Sequence, residues 1–365
     1  MKIKDVIKCI EEYAPPHYQE DFDNVGLIVG NCETQTNAAL LCVDITEDII
    51  DEAISKNINL VISHHPVLFY GLKKITGQNS TQRIVAKAIK HDIALYAAHT
   101  NMDNITGGVN TKICEKLGLT DCKILSPMKN ELVKIAVFVP QTYSEKVRNA
   151  MFKAGAGNIG AYSDCSFISQ GKGTFQAGEN TNPFAGEKGK LHIEDEVKIE
   201  MIVQKHNLSK VENAILENHP YEEVACDIYN LANRYKNAGS GMIGNLPEPM
   251  SHDEFYRMLK NIFSLKVIRS TKPVSKAISR VAVCGGAGSF LLADAIANQA
   301  DIFVSGDFKY HQFFDAENKI TIADIGHFES EQFTVEIFYD IIQKKLPNFA
   351  AQIAEKNINP IFYIM

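Results

Sequence analysis

The chain has 365 residues and a formal net charge of -7; 45% of the residues are hydrophobic and 22% are charged. That length accommodates two domains, or one large domain with an insertion, and the composition is typical of globular proteins rather than disordered or fibrous ones. An acidic chain without basic clusters is a poor candidate for nucleic-acid binding, which depends on neutralising phosphates.

Eight cysteines are scattered along the sequence, several of them inside apolar runs, and none forms a CxxC pair. We therefore expect reduced thiols in a reducing compartment rather than a disulfide framework. The N-terminal residues lack the apolar core of a signal peptide, and no stretch approaches the ~18 uninterrupted apolar residues of a membrane span. The sequence predicts a cytoplasmic protein without a membrane segment.

The first outer segment alternates helical and strand patterns. Helical spacing of apolar residues predicts helices at 2–15, 46–57 and 80–92. Pro15 and Pro16 end the first helix, and Thr46 is a candidate N-cap of the second. Apolar runs predict strands at 26–30, 37–45, 58–66 and 93–103, the last running into a loop. Apolar strands separated by amphipathic helices indicate parallel pairing with both faces buried.

The middle of the chain follows a different order. Its pattern predicts a strand at 131–140, a helix at 142–155, a Gly/Ser/Asn-rich stretch at 157–190, a strand pair within 190–204, a helix at 208–220 and a strand at 222–231. Strand-helix-strand-strand-helix-strand suggests a small ferredoxin-like α+β module, which we place at residues 127–238. The polar stretch 234–244 would be its exit.

The last outer segment returns to the first pattern. Helices are predicted at 251–263, 289–299 and 331–346, and strands at 280–288, 300–307, 319–326 and 359–365. The expected fold class is therefore α/β. Residues 1–126 and 239–365 would form one discontinuous core, with the ferredoxin-like module inserted into it.

An apolar run ends at SHHP, where His64 and His65 precede Pro66. Adjacent side chains of a regular strand point to opposite faces, so two adjacent histidines serve one site only where the strand has ended and the chain bends. Ligand sites of parallel α/β sheets lie at the carboxyl ends of strands, which is where this pair falls. The alternative is one exposed and one buried histidine without a role.

Two other strand ends carry similar residues. His99 and Asp103 follow the apolar run of the fourth strand, although Asp103 could be an ordinary turn residue. In GHFESE, His327 and Glu331 would lie one turn apart on one face of a helix, which is a metal-ligand spacing. Glu329 would point elsewhere and could serve the helix N-terminus, and a charged helix start is the alternative for the whole segment.

Together the three strand ends offer three imidazoles and two carboxylates: His64, His65, His327, Asp103 and Glu331. Mixed nitrogen and oxygen ligands suit zinc, iron(II) or manganese better than calcium or magnesium. One catalytic zinc normally takes three protein ligands, whereas two ions ~3.5–4 Å apart with a bridging carboxylate would use all five.

The sequence resembles the GTP cyclohydrolase I type 2-like family, also described as dinuclear metal centre proteins. The resemblance is carried by DFDNVGLIVG (21–30), VISHHPVLF (61–69), AAHTNMDNITGGVN (97–110), GMIGNLPEPM (241–250), VSGDFKYHQ (304–312) and IGHFESE (325–331). These motifs cover both outer segments. The middle segment resembles the ferredoxin-like insertion of the longer bacterial members, with ENHPYEEVACDIY as its signature.

The resemblance implies two divalent metal ions per chain. Zinc is the expected metal, with iron or manganese as alternatives. The resemblance implies that His64 and Asp103 hold one ion, His65 and His327 hold the other, and Glu331 bridges them. Because members differ in the spacing after GH, Glu329 is the alternative bridge. It also implies a ring-shaped homohexamer.

Further residues are candidates for supporting roles. Asp23 and Asn24 could orient a ligand histidine, and His99 could do the same or act as a general base. Lys309 and His311 are a cation and an acid/base candidate beyond the strand at 300–307; a solvated loop is the alternative. The CGGAGSF stretch (284–290) could receive a phosphate at a helix N-terminus or could serve tight packing.

These observations favour a metal-dependent hydrolase, in which metal-activated water attacks a purine nucleotide ring or a phosphoester. The resemblance points to GTP, although the sequence contains no P-loop and few basic residues near its motifs. The alternative is a non-enzymatic protein that binds or inserts metal, or a scaffold whose inserted module senses a small ligand. That ligand would be sought around His219, Tyr221, Glu222 and Glu223.

Overall fold

The structure is a computed structural model that describes residues 1–364. Its helices are α1 (Ile3–Tyr13), α2 (Glu47–Ser55), α3 (Ser80–Lys90), α4 (Thr100–Asp103), α5 (Val109–Lys116), α6 (Ser144–Lys153), α7 (Leu208–Asn218), α8 (His252–Phe263), α9 (Leu292–Ala297), α10 (His327–Glu331) and α11 (Thr334–Lys345). Its strands are β1 (Gly26–Val29), β2 (Ala38–Cys42), β3 (Leu60–Ser63), β4 (Ala94–Ala97), β5 (Thr120–Met128), β6 (Leu132–Pro140), β7 (Phe167–Gln176), β8 (Leu191–Gln204), β9 (Cys226–Asn230), β10 (Tyr235–Met250), β11 (Arg269–Ser270), β12 (Ile278–Ala287), β13 (Ile302–Gly306), β14 (Thr321–Asp324) and β15 (Ala350–Ile353).

The chain divides into two compact units, one made of Met1–Pro127 and the chain from Lys236 onward, the other of Met128–Tyr235. Within the described residues, the first unit contains a sheet of order β1-β4-β3-β2-β15 and a sheet of order β11-β14-β13-β12-β10-β5. In the first sheet the neighbouring strands β4, β3, β2 and β15 pair in parallel, and in the second sheet β14, β13 and β12 do so. The edge strands β1 and β11 pair antiparallel with their neighbours. The predicted α/β class is confirmed.

The parallel strands are buried because helices cover them. Every residue of β3 and β4 is buried, as expected for strands covered on both faces. Leu40 of β2 and Val61 of β3 pack in one core with Ile49 and Ile50 of α2. That helix begins after Thr46, whose side chain accepts a hydrogen bond from the Ile49 amide at 3.3 Å, so the predicted N-cap is present.

The second unit has the element order β6-α6-β7-β8-α7-β9. Its sheet has the order β7-β8-β6-β9, and all neighbouring strands are antiparallel. Alternate residues of β8, including Val197 and Ile199, are buried against α6 and α7. One face of the sheet therefore packs on the two helices.

Two sequence predictions were wrong in detail. Residues 190–204 form the single strand β8 rather than a pair, and its partner β7 lies in the Gly/Ser/Asn-rich stretch. That edge strand is mostly exposed, so it carries no apolar alternation. The stretch 234–244, predicted as the exit of the module, forms the start of β10 from Tyr235 onward. No strand forms within 359–364, and position 365 of that prediction lies outside the described residues.

Among residues 1–364, none of the helices has both the length and the apolar character needed to cross a bilayer. The eight cysteines form no disulfide in this part of the chain.

Candidate metal centre

The adjacent histidines follow β3 directly. Their backbone amides donate to the carbonyls of Cys42 at 3.1 Å and Val43 at 2.9 Å, so the chain remains hydrogen-bonded alongside β2 as it leaves the sheet. The ring centroids of His64 and His65 lie only 4.9 Å apart. Both imidazoles therefore reach the same place, because the regular alternation of side chains has ended with the strand.

The end of β4 supplies a third imidazole. His99 precedes the short helix α4, and its ring centroid lies 5.1 Å from those of His64 and His65. Asp103 is the last residue of that helix, and its Oδ1 lies 3.6 Å from Nε2 of His64. The two parallel neighbours β3 and β4 thus present their site residues at one edge of the sheet.

The end of β14 supplies the remaining ligand candidates from the other sheet. Gly326 turns the chain with a φ of +94°, which favours glycine, and α10 begins at the next residue. Nε2 of His327 lies 3.1 Å from Oε2 of Glu331, so the predicted one-turn spacing does bring these two side chains together.

Glu331 lies between the histidines contributed by the two sheets. Its Oε1 is 3.7 Å from Nε2 of His64, and its Oε2 is 3.1 Å from Nε2 of His65. His65 and His327 approach each other to 3.2 Å between their Nε2 atoms. The structure therefore brings all five predicted ligands together, while their division between two ions stays a prediction.

Each histidine of the cluster has its other ring nitrogen bound to an oxygen. Nδ1 of His64 contacts the Ala98 carbonyl at 3.0 Å. In the other three histidines, Nδ1 contacts a carboxylate at 2.8 Å; the pairs are His65–Asp44, His99–Asp23 and His327–Asp307. Because a carbonyl or carboxylate oxygen accepts, Nδ1 donates its hydrogen. In the neutral ring, Nε2 then offers its lone pair to the site.

Sequence analysis missed Asp44 and Asp307. Both follow strands, β2 and β13, so the same carboxyl-end rule could have found them. Asp23 does orient a histidine, namely His99, and it also accepts hydrogen bonds from the amide and hydroxyl of Thr100. Asn24 instead donates to the Leu68 carbonyl at 2.7 Å, so the structure does not place it against a histidine ring.

The cluster has strongly shifted proton affinities. Burial opposes protonation of His65 and His327, but neighbouring carboxylates outweigh it and raise the pKa of His65 to about 10 and that of His327 to about 9. Burial opposes ionisation of Glu331, yet the surrounding imidazoles hold the pKa of its carboxyl well below the usual range. Burial, with the charge of Glu331, raises the pKa of Asp103. The ionised Glu331 carboxylate therefore attracts positive charge.

The donor set fits a metal ion. Within residues 1–364, Nε2 of His64, Oδ1 of Asp103 and Oε2 of Glu331 are buried without a hydrogen-bond partner. Unsatisfied buried polar atoms are costly unless something binds them. In the described part of the chain, two groups of three residues have ligand atoms within 4.8 Å of one another. One group is His64, His65 and His99, and the other is His65, His327 and Glu331. The first group makes His99 a further ligand candidate.

A cavity of about 430 Å³ opens beside the cluster, and Phe22, Phe69 and Phe290 contribute to its walls. Lys309 and His311 are absent from its lining within the described chain; both are exposed, and the ring of His311 contacts that of Tyr310 edge to face. A catalytic role for these two residues stays a prediction that the geometry of this chain does not support.

Other predicted residues have structural partners. Glu329 faces away from the cluster and accepts hydrogen bonds from Asn359 and Tyr363, both at 2.8 Å. Glu331, rather than Glu329, therefore lies among the histidines.

The CGGAGSF stretch, which begins in β12, has its glycine amides hydrogen-bonded within the protein. The amides of Gly285, Gly286 and Gly288 donate to the side chains of Asn110, Ser330 and Ser305. The packing alternative for this stretch therefore accounts for these amides, which are not free to receive a phosphate.

An α/β protein with a buried cluster of histidines and carboxylates at the strand ends is, as a class, a candidate metalloprotein. The chain belongs to the Duf34/NIF3 (NGG1p interacting factor 3) family, whose model matches residues 1–360. Relatives of this chain carry the GTP cyclohydrolase 1 type 2 name, so the family resemblance recognised in the sequence is confirmed.

Two relatives carry the name "GTP cyclohydrolase 1 type 2 homolog". The Halalkalibacterium halodurans protein is 42% identical over 88% of this chain and 87% of its own. The Bacillus subtilis protein is 38% identical over 89% of this chain and 88% of its own. The crystal structure of a Bacillus cereus protein related to NIF3 is 36% identical, with a TM-score of 0.82 over 100% of this chain and 99% of the other.

Proposed function

We propose that this protein is a hydrolase that uses two divalent metal ions, with zinc favoured over iron or manganese, to act on a purine nucleotide ring or a phosphoester. The position of Glu331 carries the proposal, since Oε1 faces His64 and Oε2 faces His65 and His327. A carboxylate whose two oxygens face different ligand histidines is suited to bridge two metal ions. The relatives' names support a purine nucleotide as the substrate.

The chain's own residues would position the ligands and move protons. Bound divalent ions supply an activated water and stabilise negative charge that develops on the substrate. Asp44 and Asp307 fix the rings of His65 and His327, so the ligand nitrogens need little reorganisation. His99, held by Asp23 through Nδ1, leaves Nε2 available to accept or return a proton.

The cavity constrains the substrate. Its aromatic side chains Phe22, Phe69 and Phe290 suit contact with a flat base. Within the described residues its lining includes neither lysine nor arginine. A triphosphate would therefore depend on metal ions for charge neutralisation, which makes a substrate of lower charge a serious competitor to GTP.

The non-enzymatic alternative uses the same ligand geometry, with metal bound but no substrate turned over. The resemblance of the motifs supports a homohexamer in either case. Turnover, not metal content, separates a hydrolase from a metal carrier or scaffold.

The test combines elemental analysis with activity assays on zinc-, iron- and manganese-loaded protein. We expect about two ions per chain, with release of formate from GTP or of phosphate from a phosphoester. Glu331→Gln should lose metal and turnover, whereas Glu329→Gln, a matched change on the same helix, should retain both. Two retained ions without turnover of any nucleotide or phosphoester would refute the hydrolase and favour the carrier.

A further inference from the structure

A second cavity, of about 420 Å³, lies within the unit Met128–Tyr235. Its aromatic lining residues are Phe138, Phe175, Phe184 and Tyr221. The same cavity is lined by three carboxylates, those of Glu196, Glu222 and Glu223. Among the described residues, no lysine or arginine lines it, so its formal charge is negative. Neither the metal cluster nor the proposed hydrolysis uses these residues.

A histidine braces one wall of this cavity. His219 donates from Nε2 to the Phe138 carbonyl at 2.9 Å, and its Nδ1 accepts from the Tyr221 amide at 3.0 Å. With both ring nitrogens occupied, His219 is a structural support rather than a metal ligand. The brace fixes the turn after α7, from which Tyr221 and the adjacent Glu222 and Glu223 contribute to the lining.

Tyr221 joins the aromatic and acidic parts of the cavity. Its ring centroid lies 5.8 Å from that of Phe175 and 6.1 Å from that of Phe184, and its hydroxyl donates to Oε1 of Glu196 at 2.9 Å. Glu196 is packed against Gly173, where an added Cβ would meet its Oε2 at 2.1 Å. The position of this carboxylate is therefore set from two sides.

Contacts also hold the segment 177–184, which contributes to the cavity wall. Glu222 accepts a hydrogen bond from the Asn182 amide at 2.7 Å, which connects the turn after α7 to the segment 177–184. Phe184 of that segment contacts Tyr143 edge to face, with a distance of 5.5 Å between the ring centroids. These contacts shape a concave cavity with several of its walls held in place.

We propose that this cavity binds a small organic cation, an ammonium or guanidinium group carried on an apolar body. The faces of aromatic rings attract cations, and the three carboxylates add to that attraction. An anion of the same size would be repelled by those carboxylates. A neutral apolar molecule would gain only the ring contacts. The proposal is independent of the hydrolase, because the cavity residues belong to the other unit.

The test is isothermal titration of the full-length protein with three probes of similar shape: benzyltrimethylammonium, benzyl alcohol and benzoate. We expect binding of the cation at least about tenfold tighter than that of the alcohol, since a cation–π contact and a charge pair distinguish them, and no measurable binding of benzoate. Equal affinity for the cation and the alcohol would overturn the assignment to cations, as would binding of benzoate.

Variants locate the binding. Glu196→Gln keeps an acceptor for the Tyr221 hydroxyl but removes a charge, and Tyr221→Leu removes the central ring. Each should weaken cation binding by roughly five- to tenfold. Glu217→Gln changes a charge on α7 outside the cavity lining. Its affinity for the cation should stay within about twofold of the wild-type value. Glu223→Gln provides a second charge variant if Glu196→Gln does not fold. Wild-type affinity in a folded charge variant and in Tyr221→Leu would place binding elsewhere and refute the proposal.

Discussion

Oε2 of Glu331 lies 3.1 Å from Nε2 of His65, although the two residues come from opposite ends of the chain. His65 follows β3 in one sheet, and Glu331 ends the helix that follows β14 in the other. The centre therefore exists only when both sheets of the first unit are folded and packed. Changes around this contact should affect metal binding more than the stability of either sheet.

The carboxylate that holds His327 should determine metal affinity. Asp307→Ala removes the 2.8 Å contact to Nδ1 of His327, which leaves the ring free to turn. Loss of such a support typically weakens metal binding by about 10- to 100-fold. Competition with a chelator would measure the change. Asp315→Ala, an exposed control from the neighbouring segment, should not alter affinity; equal losses in the two variants would contradict the role of Asp307.

Gly286 should be required for the position of Glu331. It has a φ of +62°, and an added Cβ would meet Oε1 of Glu331 at 2.2 Å. Gly286→Ala should lower metal content and reduce the free energy of unfolding by about 1–2 kcal/mol, because a left-handed conformation is costly for alanine. Elemental analysis and denaturant unfolding would test both effects.

Gly118→Ala is the matched control for that substitution, since Gly118 has a φ of +66° and its added Cβ would meet nothing within 4 Å. It should retain metal. Full metal content in Gly286→Ala would show that Glu331 can shift without losing the ions.

His99 should act in proton transfer. If it serves as a base or acid, His99→Gln should lower kcat by about 10²- to 10⁴-fold while metal content stays unchanged. His91→Gln, an exposed histidine at the end of α3, should have wild-type kcat. A fall of one ion per chain in His99→Gln would instead identify His99 as a ligand in the group with His64 and His65.

A buried glutamate should make stability depend on pH. Burial opposes ionisation of Glu52, but hydrogen bonds from Lys56 at 2.8 Å and from the amides of Glu355 and Lys356 at 3.0 Å outweigh it and lower its pKa. A lowered pKa in the folded state stabilises the protein above the unfolded-state value, about 4.3. This contribution is lost as pH falls from there through the folded-state pKa.

Glu52→Gln should therefore reduce the free energy of unfolding by about 1–3 kcal/mol at neutral pH, and the difference from wild type should shrink in acid. Denaturant unfolding at a series of pH values would measure it. Glu355→Gln is the control, because the Glu355 side chain is 77% exposed and its ion pair with Lys56 contributes little. A difference between Glu52→Gln and wild type that stays constant down to pH 3 would contradict this account.

Much of the fold followed from local patterns. The apolar runs at β2, β3 and β4 and the amphipathic helices between them predicted a parallel, covered sheet. The edge strand β7 was missed because FISQGKGTFQ is polar and glycine-rich, and its pairing with β8 depends on backbone hydrogen bonds that leave no side-chain pattern. No strand forms within 359–364, the described part of the strand expected at 359–365, since apolar character alone does not supply a pairing partner.

The sequence by itself determined which side chains stand at the strand ends and that His327 and Glu331 share a helix face, because the periods of strand and helix fix these relations locally. Only the tertiary structure decided that Glu331, not Glu329, lies among the histidines, that Asp44 and Asp307 hold the imidazoles, and that Lys309 and His311 lie outside the cavity lining. Those outcomes depend on the packing of segments far apart in the chain, which no local period encodes.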